Sequence, residues 1–150
     1  MTWMYEDSPF IELPLGTFGF IYQIDYAPDE EHPNGSSYVG KRQCLSEVRL
    51  PALKNGTTRP EASYRIGRNI NGKRVQFDVV HKESTWKKYT GSSDLTKGKT
   101  ILRKTVLALC TSKRELTYYE CKALFCLNAI EDDQYLNVNI LGKFYRGNLS

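Results

Sequence analysis

Lysine and arginine are missing from the first 40 residues of this 150-residue chain, histidine occurs twice and cysteine four times. Each shortage excludes a class of protein. Cys44, Cys110, Cys121 and Cys126 contain no CxxC pair, and two histidines do not complete a zinc-ligand pattern around them. So few cysteines do not read as a disulfide framework either, and free thiols in a reducing cytosol are expected. The opening MTWMYEDSPFIEL is acidic where a secretory leader would be basic. No apolar run approaches the roughly 20 residues that span a bilayer. A soluble cytoplasmic protein without membrane contact is the expectation. Internal repeats and linkers are lacking too, and the length suits one domain, 1–150, whose core needs no staples.

Charge is present but uneven. The net value of +4 hides seven acids and no bases in residues 1–40, sixteen bases and five acids in 41–104, and five of each in the remainder. The middle block therefore carries +11. Phosphate neutralisation by Lys and Arg releases condensed counterions, so such a block suits a polyanion; the bland alternative is a solvated basic face.

Local patterns place the elements. GTFGFIYQIDYA alternates aromatic and β-branched residues with smaller or polar ones, and the turn-rich PDEEHPNGSS leads from it into YVGKR, which predicts a β-hairpin with a long loop. QCLSEVRLPALK then reads as a short helix ended by Pro51. SYRIG and RVQFDVV predict a second hairpin around Asn71-Gly72, a dipeptide suited to a type I′ turn. TWKKYTGSS is a loop rich in groups that reach phosphate. TILRKTVLALC is a strand by its β-branched content. Ser112 stands three residues before Glu115 in the S-x-x-E pattern that caps a helix start, which predicts a helix over 113–128. The tail DDQYLNVNILGKFYRG reads as a turn and a last short strand.

On that helix, Leu116, Ala123, Leu124 and Leu127 define an apolar stripe, and Glu120 lies four after Leu116 and four before Leu124. The carboxylate thus projects from the face meant for burial. Burying it unpaired costs several kcal/mol unless a cation or metal compensates or its pKa rises. A metal ligand, an internal ion pair and a helix rotated so that Glu120 reaches solvent are all open on this pattern.

Phe20-Ile21-Tyr22 and Tyr38-Val39-Gly40 stand on the two strands of the first hairpin. Taken with them, Trp86-Lys87-Lys88-Tyr89-Thr90-Gly91-Ser92-Ser93, the helical ELTYYECK and Tyr135-Leu136-Asn137 follow in an order that resembles the GIY-YIG nuclease superfamily, in particular a phage-borne subgroup. The similarity spans 16–140. Phe20 replaces the glycine of the first tripeptide, although Gly19 precedes it, and the second tripeptide differs by Val for Ile.

This resemblance implies a small α/β (α+β) domain with a mostly antiparallel, three-stranded central sheet flanked by helices, with the stretch 55–80 inserted and a hairpin at 65–80. It implies a metal-dependent endonuclease acting on DNA, with Glu120 holding one Mg²⁺ or Mn²⁺. Tyr22, hydrogen-bonded to Tyr38 or water and with its pKa lowered by cations, would activate the nucleophile. Arg49, or else Arg42, would clamp the phosphate from the helix after the hairpin. Lys41 and Lys87 would contact phosphates, Asn137 would orient Glu120 or a metal-bound water, and His81 stands in for the family's histidine or is structural. No separate specificity domain is apparent, so recognition would come from loops, a protein partner or oligomerisation. The competing class is a nucleic-acid-binding or host-interaction protein that keeps this scaffold without turnover.

Overall fold

The computed structural model describes residues 1–149, and the chain in it divides into two compact units, one made of Met1–Cys44 with Thr85–Ser150 and the other of Leu45–Ser84. The first unit is built on a five-stranded sheet. Its strands are β1 (Trp3–Tyr5), β2 (Ser8–Pro9), β3 (Gly19–Tyr26), β4 (Ser36–Gln43) and β8 (Ile101–Cys110), in the order β2-β1-β8-β3-β4. All neighbours are antiparallel except β1 and β8.

β3 lies between β8 and β4, and its two faces bury different partners. Phe20, Tyr22, Ile24 and Tyr26 enter an aromatic cluster with Trp3, Phe10 and Trp86. Ile21 faces the other way and packs with Val39 against Leu116 and Leu124 of α1 (Lys113–Cys126). The strand GFIYQIDY thus serves two cores, and six of its eight residues are buried, all but Gln23 and Asp25.

α1 begins where its cap pattern placed it. The Ser112 side chain accepts from the Glu115 amide at 3.1 Å, while Glu115 turns to the Thr111 hydroxyl at 2.6 Å, so only one half of the capping box forms. The tail then protects β4, the edge strand. Asn137 accepts from the Val39 amide at 3.0 Å and donates to the Val39 carbonyl at 2.7 Å, and the Ser37 amide donates to the Gln134 carbonyl at 2.8 Å. Arg146 holds the tail in place by donating to the carbonyls of Ala129, Tyr135 and Asn137. β9 (Asn139–Ile140) and β10 (Phe144–Tyr145) close the chain as a small hairpin.

In the second unit, β5 (Leu45–Pro51), β6 (Ser63–Arg68) and β7 (Arg74–Glu83) form an antiparallel sheet in the order β5-β7-β6. Arg59 clamps its long loop: it donates to the fully buried Asp78 carboxylate at 2.7 Å and to the Pro51 carbonyl at 2.8 Å.

Several expectations are corrected. The central sheet has five strands rather than three, and a single α-helix, among the described residues, packs on it. QCLSEVRLPALK is strand, not helix: LSEVRLP pairs residue by residue with β7 from Leu45↔Glu83 to Pro51↔Phe77, so tertiary pairing overrides a weak local preference. The expected insertion at 55–80 is the inner part of a larger unit. Its hairpin turn is not type I′ either. That turn requires positive φ at both central residues, whereas only Gly72 is positive, at 79°. Instead the Gly72 amide donates to the Asn69 carbonyl at 3.0 Å, closing a longer loop.

Candidate active site

The register of the first hairpin sets the geometry. Tyr22 lies opposite Gly40, Ile24 opposite Tyr38 and Phe20 opposite Arg42, so Tyr22, Tyr38, Gly40 and Arg42 all belong to the aromatic face of adjacent antiparallel strands. Gly40 is glycine for a reason. A Cβ there would stand 2.5 Å from the Tyr22 hydroxyl, so the phenol occupies the space that any side chain would need. Phe20, the departure from the resembled tripeptide, is fully buried between Trp3 and Trp86.

Residues 86–97 cover this face. Trp86–Lys88 forms a 3-10 turn whose carbonyls are held from the sheet: Trp3 Nε1 donates to the Trp86 oxygen at 2.9 Å, and Lys104 Nζ donates to the Lys87 oxygen at 3.4 Å. Thus anchored, the turn places the Tyr89 ring edge-on to Tyr22, with centroids 5.7 Å apart, and beneath the Arg42 guanidinium at 4.3 Å. The motif from Trp86 to Ser93 is therefore a lid on the tyrosines.

At the β4 edge an open cleft of about 490 Å³ is lined by Tyr38, Lys41, Ser93, Glu120 and Asn137, among others. Glu120 reaches it from α1 with 23% of its side chain exposed, and Lys41 Nζ lies 4.0 Å away while also donating to the Thr117 hydroxyl at 3.3 Å. Burial holds the Glu120 carboxyl above its ordinary pKa, and Lys41 only partly opposes this. Tyr38 is also held high, first by burial, and by the negative field of Glu120. Tyr22 is 2% exposed, and burial, followed by the Tyr89 hydroxyl, drives its phenol far upward. Burial therefore moves this phenol in the direction opposite to the lowering expected of it.

The structure brings together Tyr38, Lys41, Glu120 and Asn137 in one cleft, with Tyr22 and Arg42 on the neighbouring aromatic face. Asn137 departs from its expected role, because its amide is committed to the Val39 peptide and so orients the edge strand. Lys87 is exposed and lines a separate recess with Met1, Trp3 and Phe10. Arg49 and His81 belong to the second unit. Arg49 stands on β5, not on a helix, with its guanidinium 5.5 Å from the Phe77 ring; His81 is half exposed, 3.9 Å from Glu47. Tyr89, Ser93 and Lys104 were not singled out from the sequence. Tyr89 and Ser93 lay within a quoted motif, whereas Lys104 in an alternating strand gave no signal.

No group of three His, Cys, Asp or Glu side chains is poised for a metal among the described residues. This does not conflict with Mg²⁺, which keeps most of its waters and binds through one or two carboxylates and substrate phosphates. Glu120, the one carboxylate lining the cleft, is desolvated and faced by only an exposed lysine, and it fits that pattern.

Fold and site together define a mixed α/β protein, mostly sheet, in which a tyrosine-bearing hairpin meets a glutamate-bearing helix. Residues 3–140 match the family model described as "Putative endonuclease segE, GIY-YIG domain", and the chain belongs to that GIY-YIG endonuclease family. No curated protein and no solved structure matches it. No helix among the described residues is long and apolar enough to cross a membrane.

Proposed function

We propose that the protein is a metal-dependent endonuclease that hydrolyses phosphodiester bonds in DNA at the Glu120 cleft. One observation carries this reading: a half-buried carboxylate shares an open cleft with a tyrosine and a lysine and has no buried cation to neutralise it. A structural ion pair would place Glu120 against a buried base, and Lys41 is 41% exposed.

Glu120 would hold one Mg²⁺ or Mn²⁺, which supplies Lewis-acid polarisation of the phosphate and charge neutralisation on the leaving oxygen. Lys41 places positive charge at the cleft wall, where a phosphate oxygen can take it as a partner. Tyr38, a neutral phenol at working pH, accepts a hydrogen bond from the attacking water and orients it, and solvent in the open cleft carries the proton away. The water oxygen forms the new bond to phosphorus as the bond to the leaving oxygen breaks. Tyr22, sealed beneath Tyr89, positions β4 through its contact with Gly40 and does not meet the water. Arg42 stacks its guanidinium on the Tyr89 ring that covers Tyr22.

A second reading, binding without turnover on the same scaffold, draws on the absence of any arginine among the cleft's lining residues. Nicking of supercoiled plasmid with Mg²⁺, with Mn²⁺ and with EDTA separates the two. Metal-dependent nicking by purified protein is expected; retarded plasmid that is never cut would leave only the binding reading.

A further inference from the structure

The cap of the β6–β7 hairpin is built to hold one apolar side chain outward among cations. Asn69 organises the turn: its side-chain oxygen accepts from the amides of Asn71 and Lys73, both at 3.0 Å, and its own amide donates to the Lys73 carbonyl at 2.9 Å. Arg68 adds a bond from Nη1 to the Gly72 carbonyl at 2.7 Å. So much local bonding makes the turn rigid, and at its apex Ile70 is 99% exposed. Arg68, Lys73 and Arg74 surround the base of the turn, all exposed and none in an ion pair among the described residues. Arg68 and Arg74 are direct cross-strand partners, an arrangement in which like charges destabilise a sheet.

Neither feature serves this unit's own stability. A fully exposed isoleucine gains nothing from folding, and opposed arginines cost. Together they suit a ligand that is an array of anions with an apolar interior. We propose that this hairpin is a nucleic-acid arm, in which Arg68, Lys73 and Arg74 grip the phosphates flanking a duplex minor groove and Ile70 wedges against a base step, kinking the helix. Apolar wedges flanked by Arg, Lys and Asn are how side chains unstack and bend DNA in that groove. A membrane surface offers the same two chemistries, but a single isoleucine inserts too little apolar surface for stable anchoring. The duplex as partner rests on the endonuclease reading above.

The experiment uses a duplex of about three helical turns with a dye at each end, in EDTA so that no cutting intervenes. Wild-type protein should raise energy transfer between the ends, and Ile70→Ser should abolish that rise while still binding, with an unchanged melting temperature. Lys73→Gln/Arg74→Gln, which leaves the Arg68 bond to the turn intact, should lower the slope of log K against log salt by about 0.9 for each contact removed. Equal bending by Ile70→Ser and wild type would overturn the wedge, and an unaltered slope would overturn the phosphate grip. Ile70-dependent binding to phosphatidylserine vesicles, with no bending of duplex, would overturn both in favour of a membrane arm. Plasmid nicking with Mg²⁺ by the wild type reports separately on the nuclease reading: nicking without bending removes the arm alone, and bending without nicking removes the nuclease alone.

Discussion

A carboxylate held above its ordinary pKa beside an exposed lysine is poorly compensated, and the balance of magnitudes at Glu120 decides what its loss should do. Exposed ion pairs contribute about 0–1 kcal/mol, whereas breaking a buried pair costs about 3–5 kcal/mol. Lys41 is on the exposed side of that line. Glu120→Gln should therefore abolish metal-dependent nicking and leave the melting temperature unchanged or slightly higher. A variant that melts several degrees lower and still nicks at the wild-type rate would make Glu120 structural. The two tyrosines should also part company. Tyr38 lines the cleft, so Tyr38→Phe should lower kcat with little change in KM or stability. Tyr22→Phe removes a hydroxyl that is sealed in the aromatic core and should act mainly on stability. Steady-state nicking rates and denaturant midpoints for the pair settle it, and equal kcat losses at unchanged stability would return Tyr22 to the reaction.

At the scale of elements, the lid over the tyrosines depends on Lys104, a fully buried lysine whose partners are the Trp3 ring at 4.3 Å and the Lys87 carbonyl. Burial lowers its pKa below the ordinary lysine value. A base whose folded pKa is depressed contributes stability above its unfolded pKa, near 10.4, and loses it as pH falls through the folded value. At neutral pH burial of this amine therefore opposes folding. Lys104→Met should match or exceed wild-type stability at pH 7, and that advantage should shrink as pH rises toward about 10. Melting temperatures across that range test the sign; a variant far less stable at neutral pH would mean that the bond to Lys87 outweighs desolvation. None of this was visible in TILRKTVLALC, which announces a strand but not which alternate residue is sealed. What the sequence did disclose has a common cause. The hairpin of β3 and β4, the helix from Ser112 onward and the half-buried place of Glu120 all follow from local periodicity or a local cap. Strand β5, the parallel addition of β1 to β8 and the covering of Tyr22 by Tyr89 depend on partners distant in the chain, and periodicity within one segment does not report them.

For the whole molecule, the chain's division bears directly on which arginine serves the reaction. Each of the first unit's two hydrophobic clusters is assembled from that unit's own residues. The second unit leaves and re-enters through paired strands, Leu45 opposite Glu83, so its ends are one strand spacing apart and a short turn can replace it. Excising Leu45–Ser84 in favour of a Gly-containing turn should thus yield a folded protein with the Tyr22, Tyr38 and Glu120 environment intact. Arg49 goes with the excised unit and Arg42 stays. If Arg42 serves the phosphate, as its place above Tyr89 favours, the shortened protein should still nick plasmid in Mg²⁺, with weaker duplex binding and a shallower salt dependence because eight of the chain's 21 Lys and Arg residues are gone. Arg42→Gln in the shortened chain should then remove the residual nicking. A folded but inactive shortened protein, together with an inactive full-length Arg49→Gln, would assign the phosphate clamp to the second unit and withdraw it from Arg42.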